Sequence, residues 1–163
     1  MIAKNVVIDI GCGETKKEGA IGVDLRKTKC VDIVANARWL PFRDQSIDHV
    51  YSSHVIEHFS HRETESVLTE WVRCLKKGGI FEIRCPDLRA RAFLFFLSPS
   101  WQNVKHIYGE QDYPGNSHKC GFSCGILKDL LKRQGIKNIK RIINGYRGIP
   151  FIPDCLHLKG VKE

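Results

Sequence analysis

Short apolar runs alternate along this chain with longer segments whose apolar residues recur at helical spacing, which predicts an α/β layer fold. The first run, Asn5 to Ile10, is apolar at Val6, Val7, Ile8 and Ile10, a near-continuous pattern that suits a central parallel strand buried on both faces. Further strands are expected at Ala20 to Leu25, Val31 to Ala35, Ile47 to about Ser53, and Ile80 to Cys85. A sixth is expected at Ile136 to Ile143 and a seventh near Cys155 to Val161. The Gly- and Pro-rich turn region between them is compatible with an antiparallel final pair. The clearest helix spans about His61 to Lys77. Ser60 and Glu63 have capping-box spacing, Val67, Leu68, Trp71, Val72 and Leu75 make one apolar face, and Gly78 and Gly79 end it. Asp87 can cap a second helix reaching to about Leu97. A third follows Ser123, with Ile126, Leu127, Leu130 and Leu131 on one face and Gly135 as the stop. The irregular segment from Ser98 to Phe122 reads as a lid or a site wall, because long ordered loops in compact domains usually serve function.

Composition narrows this picture without changing it. The 163 residues suit a single domain, and the chain shows no repeats or linkers. No apolar run approaches the roughly 20 residues of a membrane span; the longest, Ala92 to Leu97, is far too short. The N-terminal residues read as the approach to a buried strand rather than a secretion signal, so a cytoplasmic location is expected. Seven cysteines, an odd number, point to free thiols rather than a disulfide framework. The formal charge is +8, with Lys128, Lys132, Arg133, Lys137, Lys140, Arg141 and Arg147 opposed locally only by Asp129. A basic surface favours phosphate-bearing partners, but no aromatics are interleaved here as a stacking platform for nucleic acid requires. A solvated helix face and a lysine-protected edge strand explain the same charges.

The strongest local signal is VVIDIGCG, residues 6 to 13. A buried strand carries Asp9 near its end and then bends through Gly11 and Gly13. Glycines there let a ligand approach the backbone at the carboxyl edge of the sheet. A second acid, Asp24 in IGVDL, ends the second expected strand, where it can accept hydrogen bonds from both hydroxyls of a ribose or serve as a cap or surface carboxylate.

The run from Val34 to Phe59, VANARWLPFRDQSIDHVYSSHVIEHF, follows in order, and then RCLKKGGIFEIRCPD at 73 to 87. Together with the first motif and Asp24, these resemble the class I S-adenosylmethionine (SAM)-dependent methyltransferases of the type 11 group, over nearly all of Val6 to Asp87. The later YGEQDYPGNSHKCGF is similar to a segment in a subset of that group. The resemblance implies a Rossmann-like three-layer sandwich around a mostly parallel seven-stranded sheet with an antiparallel last strand. It implies SAM as methyl donor, with S-adenosylhomocysteine (SAH) as product. The matching positions would put Asp9, Gly11 and Gly13 at the methionine part, with Cys12 adding a backbone contact. Asp24 would bind the ribose, Leu25 would pack on the adenine, Asn36 and Ala37 would meet the adenine edge, and Ser53 and His54 would flank the methionine amino group. Asn36 stands where the group often has Asp, yet offers both a donor and an acceptor.

Two departures from the group stand out. About nine residues separate the first two strands, too few for a full crossover helix, so the first helix is expected to shrink to a turn or so. The chain also starts just before strand one, where many members have an earlier helix over SAM. The expected consequence is an open site, or one closed by a partner subunit or by the 98–122 segment.

If the acceptor must lose a proton, His58 and His118 are the candidate bases, with Glu57 and Tyr113 behind them. The stretch His54-Val-Ile-Glu57-His58 also spells the inverted zincin pattern H-x-x-E-H, but His54 is expected at a strand exit rather than inside a helix. His118, Cys120, Cys124, Cys155 and His157 could gather round a metal; buried apolar thiols explain the cysteines equally, and no metal is expected. Arg84, Arg89 and Arg91 fall near the carboxyl edge of strand five, either steering an anionic acceptor or as plain surface charge. A small metabolite is the favoured acceptor. A non-catalytic SAM- or SAH-binding module is the alternative, and an NAD or nucleotide-sugar enzyme on a similar sheet a more distant one. Phe93, Phe95 and Phe96 mark a possible homodimer interface.

Overall fold

The computed structural model describes residues 5–143 and 155–163. Seven strands form one sheet in the order β3-β2-β1-β4-β5-β7-β6. They are β1 (Val7–Ile10), β2 (Ile21–Asp24), β3 (Ile33–Val34), β4 (Ile47–Ser53), β5 (Leu75–Pro86), β6 (Ile136–Arg141) and β7 (Cys155–Lys162). Neighbours from β3 to β5 pair in parallel, and β7 runs antiparallel to both β5 and β6. This is the expected Rossmann-like sheet with a reversed last strand. The Gly- and Pro-rich turn before β7 lies largely in residues 144–154, outside the described residues.

The four helices are α1 (Thr64–Cys74), α2 (Leu88–Leu97), α3 (Trp101–Tyr108) and α4 (Cys124–Arg133). Val67, Leu68 and Trp71 of α1 and Leu127 and Leu131 of α4 share one core with Ile8, Ile10, Val50, Phe81, Ile83, Leu156 and Leu158 of the sheet. Caps start α2 and α4 as expected: the Asp87 side chain accepts from the Arg89 amide and the Ser123 hydroxyl from the Ile126 amide. At α1 the box is altered. The Ser60 amide and hydroxyl both donate to Glu63 Oε2, at 3.0 and 2.7 Å, and regular helix begins only at Thr64.

Three expectations on element bounds are corrected. The helix expected to run to Lys77 ends at Cys74, because the fully buried Leu75 turns to extended backbone and already pairs with Ile47. Strand five therefore begins at Leu75 rather than Ile80. Residues 76–79 bulge out where the pairing steps from Ile47–Leu75 to His49–Ile80, with Gly78 at φ +74°. The segment from Ser98 to Phe122 is not wholly irregular; Ser100 caps α3 through the Asn103 amide. Helix α2 buries only Ala90 and α3 buries none of its residues, and Phe93, Phe95, Phe96, Leu97 and Trp101 stay exposed.

No helix joins β1 to β2. The loop instead folds back on the sheet through Asp9, whose Oδ2 accepts from the Lys17 amide at 2.7 Å. Lys16 pairs with Asp32, and the Thr28 hydroxyl donates to the Gly13 carbonyl. The sheet face behind this loop is polar by register. Asp9, Tyr51, Glu82 and Lys159 lie on one cross-strand row, alternating with the core row of Ile8, Val50 and Phe81. Buried Glu82 accepts from His157 Nε2 at 2.8 Å, with His49 Nε2 3.0 Å and Lys17 Nζ 3.4 Å away. Lys17 Nζ also sits 4.2 Å from the centre of the Tyr51 ring. A face satisfied by charge in this way needs no amphipathic helix against it, which is how so short a connection suffices.

The late basic charges are largely paired at the surface: Lys132 with Asp129, Arg133 with Glu65, Lys137 with Glu163 and Arg141 with Asp87. Among the described residues no helix is long and apolar enough to cross a membrane.

Candidate functional site

Strand order reverses about β1, whose neighbours are β2 and β4, and open α/β sheets bind ligands at such a switch point, beyond the carboxyl ends of the strands. Here β1 bends at Gly11 and Gly13, both with positive φ, +71° and +54°. The bend at Gly11 leaves no room for a side chain, since a Cβ there would lie 2.2 Å from Val55 Cγ2. Beyond it opens a hollow of about 280 Å³. Gly11, Gly13, Asp24, Leu25, Asn36, Ala37, His54 and His58 all line it, so eight of the twelve positions picked from the sequence meet at one sheet edge.

Asp24 faces the bend. Its Oδ2 accepts from the Gly13 amide at 2.9 Å and its Oδ1 from the Arg26 amide at 2.9 Å. A carboxylate has about four lone-pair sites, so about two remain for the hydroxyls of a ribose. Leu25 leaves its side chain two-thirds exposed on the wall, an apolar surface suited to an aromatic base. Asn36 Oδ1 accepts from the Arg38 amide at 3.0 Å and keeps a second lone pair, and its amide group carries two donors suited to a ring nitrogen. The Ala37 carbonyl accepts from Trp71 Nε1 at 2.8 Å, which ties the hollow's edge to the core.

Asp9, Cys12 and Ser53 face a second trough of about 430 Å³, which shares Gly11 and His54 with the first and adds Lys16, Lys17, Tyr51 and Arg84. Burial raises the Asp9 carboxyl above its ordinary range, against the Lys17 amide bond that lowers it. The Cys12 amide shares the Val23 carbonyl with Gly11, and the Cys12 carbonyl accepts from the Thr15 amide. Burial pushes its thiol up to about 11, and all seven cysteines are free. His54 follows β4 in the left-handed region at φ +58°, a conformation that non-glycine residues hold at a cost and that is frequent at functional sites. Contacts with Cys155 Sγ (3.8 Å from Nε2) and Glu57 (3.2 Å from Nδ1) raise its imidazole to about 9, so it is a cation at neutral pH. It occupies a turn rather than a helix, so the zincin-like letters do not form a zincin helix.

His58 lies on a 3-10 turn, Ile56–His58, at the hollow's far wall. His118 does not reach the hollow. It sits behind His58 in a small side cavity with Glu57, Arg91 and His106, where burial lowers its pKa and favours the neutral ring. The rest of the outer wall is Tyr113, Pro114, Gly115 and Lys119, from the segment read as a lid or wall. Arg26, Arg38 and Lys119 line the hollow without having been picked from the sequence, where no motif marks them. Arg84 reaches the trough, whereas Arg89 is exposed and Arg91 Nη1 meets His106 at 3.1 Å. Of the metal group suggested by His118, Cys120, Cys124, Cys155 and His157, His157 is instead bound to Glu82 and Cys155 lies by His54.

Residues 8–83 match the family model of a methyltransferase domain. A search of curated proteins found no match. Among solved structures, a SAM-dependent methyltransferase from Archaeoglobus fulgidus superposes with a TM-score of 0.68 at 19% identity, over 98% of this chain and 87% of that one. A SAM-dependent methyltransferase of Thermotoga maritima, described as a possible histamine N-methyltransferase, gives 0.66 at 19% identity, over 100% and 84%. The 1,6-didemethyltoxoflavin-N1-methyltransferase of Burkholderia thailandensis, crystallised with 1,6-didemethyltoxoflavin and SAH, gives 0.64 at 12% identity, over 96% and 70%. The methyltransferase-domain match spans the strands and glycine bend of the site, and these solved SAM-dependent methyltransferases share the fold; together they support a class I methyltransferase whose methyl donor is S-adenosyl-L-methionine.

Proposed function

We propose that this enzyme methylates a small-molecule acceptor bound at the end of the hollow walled by His58, Tyr113 and Lys119. The observation that carries the reading is the convergence of Asp24, the Gly11–Gly13 bend and Asn36 on a hollow whose outer wall comes from the chain's own 113–119 segment. The donor residues fit the cofactor. Asp24 retains lone pairs for a ribose, Leu25 and Ala37 suit an adenine, and the trough by Asp9, Ser53 and His54 holds an acid and a cation suited to an amino acid end. The cofactor supplies an electrophilic methyl group on a positively charged sulfur. The protein's part is alignment, because bringing nucleophile and methyl into line removes much of the barrier. His58 is the side chain placed to take a proton from an acceptor, if the acceptor carries one.

A hollow of this size, walled on its outer side by Tyr113, Pro114 and Gly115, favours a metabolite over a macromolecule. The small-molecule substrates named for the two structural neighbours agree with that scale. The test is calorimetry with SAH on the wild type and on Asp24→Asn, followed by methyl release from labelled SAM over small-molecule and macromolecular fractions of cell extract. The expected results are SAH binding that Asp24→Asn weakens about a hundred-fold, since hydrogen bonds to a charged group contribute about 1.5–3 kcal/mol, and turnover with the small-molecule fraction. Turnover only with the macromolecular fraction would refute the acceptor class, and binding without turnover on either would leave a SAM-binding module.

A further inference from the structure

Glu57, His58 and His118 form a cluster that alignment of a cofactor does not use. Two hydrogen bonds lock its two pieces of chain together: the Lys119 and Cys120 amides both donate to the Glu57 carbonyl, at 2.8 and 3.1 Å. The imidazoles of His58 and His118 meet edge to face, with centroids 5.1 Å apart. Each has Nδ1 3.1 Å from a backbone carbonyl, Ser117 for His58 and Ile107 for His118. A carbonyl can only accept, so in each neutral ring the proton sits on Nδ1 and Nε2 presents a lone pair.

Glu57 completes the group from beneath. It is 1% exposed, and neither carboxylate oxygen makes a hydrogen bond among the described residues; the half-exposed His54 stands 3.2 Å from Oε1. One ligand atom from each of Glu57, His58 and His118 lies within 4.8 Å of the others. The His54 imidazole faces Oε1, but Oε2 has no donor among the described residues, and a buried carboxylate oxygen left so is costly unless a cation is near. Two imidazoles whose Nδ1–H groups are each held by a backbone carbonyl have their tautomer set, as metal-bound histidines commonly do, and leave Nε2 as the nitrogen able to ligate.

We propose that Glu57, His58 and His118 hold one divalent transition-metal ion, of the zinc or iron(II) class. Two imidazoles and one carboxylate suit such ions and leave coordination positions open, whereas magnesium and calcium prefer all-oxygen sets. His58 also lines the hollow, so the open positions face the acceptor end. There the ion would take an acceptor through a hydroxyl, a thiol or a ring nitrogen. This last step rests on the proposed function; the binding of the ion does not.

The test starts from protein stripped with a chelator and titrated with Co²⁺, read by visible absorption, and with Zn²⁺, read by calorimetry and by thermal shift. SAH calorimetry runs beside them. Wild type should take up one equivalent of Co²⁺ and unfold at a higher temperature with Zn²⁺. Glu57→Gln and His118→Asn should bind more weakly by more than about a hundred-fold, beyond the roughly 10–100-fold cost of losing an outer partner. His61→Asn, which removes an exposed histidine, should bind as wild type does. Retained SAH binding certifies that a variant is folded, and either variant alone decides the matter should the other fail to fold. Wild type that binds Co²⁺ no more tightly than His118→Asn or Glu57→Gln, while still binding SAH, would overturn the metal site and leave the cofactor reading intact. Co²⁺ uptake without SAH binding would do the reverse.

Discussion

The Arg26 guanidinium lies 4.0 Å from the centre of the Tyr113 ring and joins the two sides of the hollow's mouth. Arg26 lies two residues beyond Asp24, which ends β2, and Tyr113 belongs to the segment between α3 and α4. A cation over an aromatic face contributes about 0.5–2 kcal/mol, according to how far it is desolvated. Tyr113→Ala should therefore raise the Kd for SAH by about 2- to 30-fold, while Tyr113→Phe, which keeps the ring, should stay close to wild type. Calorimetry on the two variants measures this directly, and equal losses in both would point to the hydroxyl instead.

Gly11 permits the bend and leaves nowhere for a methyl group. A Cβ there would overlap Val55, at a φ that alanine adopts only with strain. Gly11→Ala should lower thermal stability and sharply weaken SAH binding, because the Val55 side chain that must give way also lines the hollow. Gly13→Ala meets open space and should keep the fold, so comparing the two melting temperatures separates the steric effect from the conformational one.

Trp71 is fully buried and donates to the Ala37 carbonyl from the middle of α1. Trp71→Phe keeps much of the apolar contact but removes that donor, leaving a partly buried carbonyl unmet at about 1–3 kcal/mol. The expected outcome is a destabilised protein, measured by urea unfolding. It should also bind SAH more weakly, because Ala37 lines the hollow.

Stability should fall in mild acid through Glu82. Its carboxyl is held well below the usual carboxylate range by His157 first, then His49, against the opposing effect of burial. A folded-state pKa depressed in this way contributes stability that is present in full above the unfolded value of 4.5 and lost as pH falls towards the folded one. Unfolding free energy should decline between about pH 5 and pH 3. Glu82→Gln should be less stable at neutral pH by about 3 kcal/mol, since it leaves His157 and Lys17 without their anion, and should show a shallower acid decline. Chemical denaturation across that pH range, on both proteins, checks the sign and the slope.

Much of the fold was legible in the chain because it is encoded locally. Near-continuous apolar residues in Val6 to Ile10 suit a central parallel strand, and Asp87 and Ser123 cap helices within three residues of themselves. The Gly11–Gly13 bend and Asp24 were legible for the same reason: each marks the end of a strand, and parallel strands bring their carboxyl ends to one edge. The end of α1 at Cys74 was not, because helical periodicity continues to Leu75 and only pairing with Ile47 draws that residue into the sheet.

By itself, then, the sequence determined the layer class, the switch-point edge and the residues along it. Tertiary structure decided that Tyr113 closes on Arg26, that His118 stands behind His58 beside Glu57, and that Asp9, Tyr51, Glu82 and Lys159 form one polar row beneath a loop too short for a helix. Alternation of side chains along a strand is a property of neighbours in the chain. Which strand lies beside which, and in what register, is settled only when distant segments bury their apolar faces together.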